Sequence, residues 1–381
     1  MGHKLQRLFI ICAPGVEPFL KQELESLHLL SENRFRLERG GIEFEGHLID
    51  MMRANLYLRT ATRVLIRLGQ FYAVGFAELR RKIKKLPWEN FLQPDDPVVL
   101  RVSCHKSRLY HSAAVAERVV NGIGDCLGTT PRLLPERTLE QSNPPQLIGI
   151  RILRNLCTVS VDSSGAALYR RGYRQAIGKA PLRESLAAAM MLASGWDGVS
   201  PLVDPFCGSG VIPIEAALMT RQIAPGIKRS FAFMKWGIFE EETWEALRQE
   251  AEKKELAEMA TIIGSDRDAG AIEAAVANAN RAGVAERIQF LCRNVSELTA
   301  PGGTGWIVTN PPYGLRTASK KNLRNLYARL GQVARERFSG WHIAMLCHSR
   351  ALAKQTGFRF QKRLHWENGG IPVELFIGSI G

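Results

Sequence analysis

A chain of 381 residues, 45% of them hydrophobic, is long enough for two or three domains with cores of their own. Its longest apolar runs fall far short of the roughly 20 residues that cross a bilayer, and its opening residues lack the hydrophobic region and cleavage site of a secretory signal; no transmembrane helix and a cytoplasmic address are expected. Lys and Arg number 51 against 37 acids, net +14, and residues 1–180 carry 27 basic against 17 acidic side chains, so the front half favours a polyanionic partner.

Residues 1–66 read as a small α+β unit: a strand from Arg7 to Cys12, a helix from Glu17 to Leu27, a strand pair around Gly40 and Gly41, and a helix from Leu48 to Thr60. A second unit covers 67–165, with a basic helix near Phe76 to Leu86, a strand from Val98 to Ser103 and a helix from Ala113 to Cys126. Its two alternating stretches, IGIRIL and CTVSVD, form a hairpin turned at Arg154 and Asn155. Three basic runs lie in this half: RRKIKK, CHKSRLYH and YRRGYRQ. Two of them carry tyrosines, and together they provide the residue types that hold phosphates and stack on bases. A solvated helix face accounts for any one run equally well; three together favour nucleic acid. Seven scattered cysteines with no Cys-x-x-Cys pair indicate neither a disulfide framework nor a zinc site, and no metal is expected.

After a linker at 166–180 the texture changes. An alanine-rich helix (Glu184 to Ser194) precedes short apolar strands, each followed by a helix, over residues 181–381, which is the pattern of a parallel, doubly wound sheet. Three positions fall at strand ends. In LVDPFCGSGVIPIEAAL, Asp204 closes a strand and Gly208 and Gly210 let the backbone turn closely against a ligand. In IIGSDRD, Asp266 follows a strand where a carboxylate can accept from both ribose hydroxyls, although an Asp there could equally cap a helix. The extra segment from Gly226 to Lys254 pushes this acid far beyond the ~20-residue spacing of a dinucleotide fold, which disfavours a dehydrogenase.

The third position is IVTNPPYGLR, residues 307–316. Methylation of an exocyclic amine requires both N–H hydrogens to be held while the nitrogen lone pair turns to the methyl. The Asn310 side-chain oxygen and the Pro311 carbonyl are suitable acceptors, and Pro312 fixes φ without adding a competing N–H. Tyr313 offers a face for an unstacked base. A strand-ending proline turn with a packed Tyr explains the stretch alone about as well, but not its order after the glycine loop and Asp266.

Together these motifs resemble the Asn-Pro-Pro-Tyr group of class I S-adenosylmethionine-dependent methyltransferases. More closely, KAPLRESLAAAM, LVDPFCGSGVIPIEAA, RSFAFMKWGIF and TNPPYGLR resemble the bacterial RNA guanine-N2 methyltransferases, which include the N-terminal half of the fused large-subunit rRNA enzyme and the tRNA acceptor-stem enzymes. NLYLRTATRVLIRLGQF and VDSSGAALYRRGYR resemble the front portion of that family. The resemblance implies a Rossmann-like catalytic domain at 181–381 behind a ferredoxin-like unit (1–66) and an RNA-binding THUMP domain (67–165). It implies a pocket for S-adenosylmethionine in which Asp204, Phe206, Gly208, Ser209 and Gly210 face the amino acid part, Asp266 the ribose and Asn294 the adenine. Pro181 and Arg183 would close over the cofactor, and Asn310 would stand between it and the base. Asn294 departs from the acid carried by many relatives. The chain ends soon after the final hairpin of the sheet, so one modification is expected. Structured RNA, 23S rRNA or tRNA, is the implied partner, with Arg80, Arg81, Lys82, Lys106, Arg108 and Arg171 as candidate phosphate contacts. An RNA-binding or assembly protein with a vestigial pocket is the non-catalytic alternative.

Overall fold

A computed structural model describes residues 5–30, 34–141, 144–175, 182–256, 260–313 and 320–381. They gather into two compact units, one formed by the described residues within 1–11, 24–168 and 229–249, the other by those within 12–23, 169–228 and 250–381.

The first unit is built on one seven-stranded sheet. In chain order the elements up to the end of this sheet are β1 (Gln6–Cys12), α1 (Glu17–Ser26), β2 (Phe35–Glu38), β3 (Gly41–Gly46), α2 (Leu48–Tyr57), β4 (Ala61–Tyr72), α3 (Phe76–Ile83), β5 (Val98–His105), α4 (Ser112–Leu127), β6 (Gln146–Leu153) and β7 (Leu156–Asp162), of which α1 falls mostly in the second unit. The strand order is β2-β3-β1-β4-β7-β6-β5, so the boundary expected at 66/67 falls inside β4. Positive φ at Arg154 (51°) and Asn155 (65°) turns the β6–β7 hairpin. The segment 229–249, which in sequence interrupts the catalytic half, packs in this unit. Trp236 donates from Nε1 to Gln146 Oε1 at 2.8 Å and meets the Phe91 ring edge-on at 4.9 Å, and Arg229 donates to the carbonyls of Ala166, Ala167 and Leu168.

The second unit holds α5 (Glu184–Ser194), β8 (Leu202–Asp204), α6 (Val211–Thr220), β9 (Ile262–Asp266), α8 (Ala269–Ala282), β10 (Ile288–Cys292), β11 (Trp306–Thr309), α9 (Lys320–Arg337), β12 (His342–Cys347), α10 (Arg350–Gln355), β13 (Phe360–Asn368) and β14 (Ile371–Ser379); α7 (Glu241–Lys253) begins in the 229–249 segment. The order β10-β9-β8-β11-β12-β14-β13 is parallel through β12, with β14 antiparallel to β12. The central parallel strands β8, β9, β11 and β12 are short, almost wholly buried, largely apolar runs, the pattern of strands covered on both faces. Val203, Ile263, Ile307, Ile343, Tyr327 and Phe338 share one buried cluster. Strand order reverses between β8 and β11, and such a sheet opens a ligand crevice at that reversal. Among the described residues no helix is long and apolar enough to cross a membrane.

Candidate active site

Four strand ends meet at this crevice. β8 ends on Asp204 and β9 on Asp266, while β10 leads to Asn294 and β11 to Asn310. They border a cavity of about 720 Å³, within the ~300–1,000 Å³ of small-molecule sites. Of the residues expected from the sequence, Asp204, Phe206, Gly208, Ser209, Asp266, Asn294, Asn310 and Pro312 line it.

The glycine loop is shaped by two backbone requirements. Gly208 lies at φ +51°, and a Cβ there would meet nothing within 4 Å, so the space a side chain would fill is left open at the cavity wall. Gly210 is the residue before α6, at φ +85°, and a Cβ there would come within 2.9 Å of the Ala275 Cβ on α8. It supports the loop from behind the wall.

Asp204 is 1% exposed. Its Oδ1 accepts from the Thr309 hydroxyl at 2.7 Å and from the Phe206 N–H at 3.1 Å. Burial pushes its carboxyl up to about 7, the two hydrogen bonds oppose that shift, and the nearby Asp266 charge adds to it. Asp266 accepts from the Gly208 N–H at 3.1 Å through one oxygen and from the Asp268 N–H at 3.0 Å through the other. The cap of α8 is Asp268, which accepts from the Gly270 N–H at 2.9 Å, so Asp266 is not spent on capping. Asn294 caps a single helical turn: its Oδ1 accepts from both the N–H and the hydroxyl of Ser296 at 3.1 Å.

At the end of β11, Asn310 is half-buried and its Oδ1 accepts from the Tyr313 hydroxyl. The Tyr313 ring packs 5.2 Å from the His348 ring. Pro311 is buried and Pro312 exposed; the Pro312 carbonyl accepts from the Tyr327 hydroxyl at 3.4 Å.

Other expected residues lie elsewhere. Pro181 is outside the described residues. Arg183 precedes α5, and its guanidinium stacks 4.7 Å from the centre of the Tyr169 ring rather than on the cavity wall. Arg171, expected on phosphate, is 7% exposed, with its Nε 3.5 Å from the buried carboxylate of Glu215. In the first unit Arg81, Lys106 and Arg108 are exposed. Arg80, also exposed, forms a two-pronged pair with Asp125 at 2.6 and 2.7 Å, and Lys82 donates to Glu78 at 2.7 Å.

The sequence reading missed Thr309 and Arg174. Thr309 was legible as the residue before Asn310. Arg174, read as part of a basic run, lines the cavity, donates to the Leu182 carbonyl at 2.8 Å and pairs with the buried Glu184 at 3.2 Å. Burial pushes the Glu184 carboxyl up to about 7, against the pull of Arg174.

Residues 171–376, which contain all four strand ends, match the UPF0020 model, described as the RMKL-like methyltransferase domain. The chain belongs to the RMKL-like methyltransferase family. Residues 7–65 match the RlmL ferredoxin-like domain. The chain is 34% identical over 369 residues to slr0064 of Synechocystis sp., provisionally named an RNA methyltransferase, covering 96% of this chain and 95% of that one. It is 36% identical over 381 residues to ribosomal RNA large subunit methyltransferase K/L of Syntrophotalea carbinolica, of whose length it spans about half (53%). Among solved structures, SMU.472, crystallised in complex with SAH, superposes with a TM-score of 0.87 at 29% identity over 99% of both chains. A Listeria monocytogenes protein described as a predicted N6-adenine-specific DNA methylase superposes at 0.85 with 34% identity, over 98% of this chain and 96% of that one. TrmN from Thermus thermophilus shares the fold at 0.73 with 19% identity, over 98% and 99%.

Proposed function

We propose that this chain is an S-adenosylmethionine-dependent RNA methyltransferase that modifies the exocyclic N2 amine of a guanosine, in large-subunit (23S) rRNA and in the cytoplasm. The observation that carries the reading is one cavity bordered by Asp204, Gly208, Asp266 and Asn310, with the last residue opening Asn-Pro-Pro-Tyr. The relative at 36% identity, named for the large ribosomal subunit, favours rRNA over tRNA. We assign residues 1–66 as the ferredoxin-like unit and 67–165 as an RNA-gripping THUMP portion, the two sharing β4 and one sheet, 166–180 as the linker, and 181–381, apart from 229–249, as the catalytic domain.

The cofactor, when bound, supplies an electrophilic methyl group. The open side of Gly208 gives its amino acid part room, the buried Asp204 carboxylate faces its cationic amine, and Asp266 accepts from its ribose hydroxyls. Asn294 receives the adenine amine once the Ser296 hydroxyl turns away from Oδ1. The target guanine, taken out of its stack, lies against Tyr313, and its amine donates one hydrogen to Asn310 Oδ1 and the other to the Pro311 carbonyl. Held there, the nitrogen lone pair points at the methyl. Positioning and preorganised acceptors provide the acceleration, and the proton leaves to solvent after transfer. Arg81, Lys106 and Arg108 hold phosphates at a distance from the target.

The test is transfer of labelled methyl from S-adenosylmethionine to unmodified large-subunit rRNA, tRNA and duplex DNA, by the wild type and Asn310→Ala. The reading expects rRNA to be labelled and Asn310→Ala to lose at least ~100-fold in rate. Labelling of tRNA alone moves the substrate to the acceptor-stem group. Labelling of DNA alone, or wild-type labelling that survives in Asn310→Ala, overturns the reading, and cofactor binding with no transfer to any of the three supports the non-catalytic RNA-binding alternative.

A further inference from the structure

The acceptor that the proposed chemistry assigns to the target amine is already engaged. Asn310 Oδ1 accepts from the Tyr313 hydroxyl, so base entry must draw that oxygen away from a donor on a half-buried ring. A phenol left with no acceptor in such a place is penalised by its unmade hydrogen bond, and substrate binding would carry that penalty at every turnover.

A replacement acceptor stands beside it. β12 pairs with β11 in parallel, with Thr309 opposite Met345, so the segment after Cys347 runs next to the Asn310 loop. There His348 packs its ring 5.2 Å from that of Tyr313, at an interplanar angle of 47°. Its Nδ1 is buried and has no hydrogen-bond partner. Buried polar atoms without partners are rare in folded proteins and each calls for a physical reason. Burial also lowers the affinity of this imidazole for a proton, which keeps it neutral and able to accept. The Asn310 and His348 segments are braced from behind by Tyr327, whose hydroxyl lies 3.4 Å from both the Pro312 carbonyl and the Cys347 sulfur.

We infer that His348 is a positioning residue for methyl transfer: its Nδ1 takes over the Tyr313 hydroxyl when the target amine claims Asn310 Oδ1. The exchange keeps the Tyr313 hydroxyl hydrogen-bonded, gives His348 Nδ1 a partner, and turns Tyr313 from a plug on the acceptor into a wall for the base. The inference rests on the reading of Asn310 given above. It concerns no bond made or broken in the reaction, so the role belongs to positioning and not to proton transfer.

The test is a double-mutant cycle of His348→Phe and Tyr313→Phe, with His348→Gln as the variant that keeps an acceptor. Steady-state methyl transfer is read on the RNA that the wild type labels, with thermal midpoint and S-adenosylhomocysteine affinity as controls. His348→Phe is expected to lower kcat roughly tenfold with the KM for S-adenosylmethionine unchanged, and His348→Gln to recover most of it. In a Tyr313→Phe background, with no hydroxyl to receive, adding His348→Phe is expected to change nothing. A His348→Phe loss of equal size in both backgrounds, or none in the wild-type background, overturns the inference while leaving the role of Asn310 standing. Full activity of Asn310→Ala, or no transfer to any RNA by the wild type, removes the underlying reading and this inference with it.

Discussion

The Thr309 hydroxyl donates to Asp204 Oδ1 at 2.7 Å, joining the end of β11 to the end of β8 where both residues are buried. This bond sets the strand that delivers Asn310 against the loop proposed to hold the cofactor. Thr309→Val keeps the shape and removes the donor. The account expects a loss of about 1–3 kcal/mol in stability from the missing hydrogen bond to a buried carboxyl that keeps only the Phe206 N–H, together with weaker S-adenosylhomocysteine binding, measured by denaturant unfolding and calorimetry.

Asp204 also makes the protein sensitive to pH. Its carboxyl is raised to about 7, chiefly by burial, above the ordinary value near 4. The fold therefore favours its protonated form. That contribution is complete below about pH 4 and is lost as pH rises through 7, amounting to a few kcal/mol at most. Asp204→Asn is expected to flatten the fall in stability between pH 5 and 8 when compared with wild type by urea unfolding. A cationic ligand amine beside Asp204 favours the ionised form, so S-adenosylhomocysteine affinity is expected to rise severalfold from pH 6 to 7.5 in the wild type and to stay level in Asp204→Asn.

Arg171 and Arg108 are expected to separate cleanly. Arg171 faces Glu215, which also accepts from the Tyr173 hydroxyl at 3.1 Å, and all three are buried. Arg171→Ala is expected to cost about 3–5 kcal/mol of stability and to leave the salt dependence of RNA binding unchanged. Arg108 is exposed; Arg108→Ala is expected to leave stability within ~0.5 kcal/mol and to reduce the salt slope by about one. Filter binding across a salt series, paired with thermal unfolding, distinguishes the two.

Trp236 measures how firmly the 229–249 segment belongs to the first unit. It is 4% exposed and bonded to Gln146. Trp236→Ala is expected to cost about 3–5 kcal/mol and to raise hydrogen exchange along β6.

The catalytic half was legible because its signals are local. LVDPFCGSG and IVTNPPY each hold a strand, its end and the ligand-facing turn within ten residues, and the structure places Asp204, Asp266 and Asn310 on one cavity. What was not legible depends on distant partners. Nothing in YRRGYRQ distinguishes Arg171 and Arg174, which meet the buried Glu215 and Glu184, from cations left to solvent. RSFAFMKWGIF carries no sign that its tryptophan meets Phe91 and Gln146, more than 80 residues earlier. The β4 strand crosses the boundary set at 66/67 because apolar alternation marks a strand but does not say which neighbours it will pair with.

The central claim is the identity of the modified nucleoside. After reaction of the wild-type protein with S-adenosylmethionine and unmodified large-subunit rRNA, digestion to nucleosides and mass spectrometry should show N2-methylguanosine. N6-methyladenosine as the product would contradict the account.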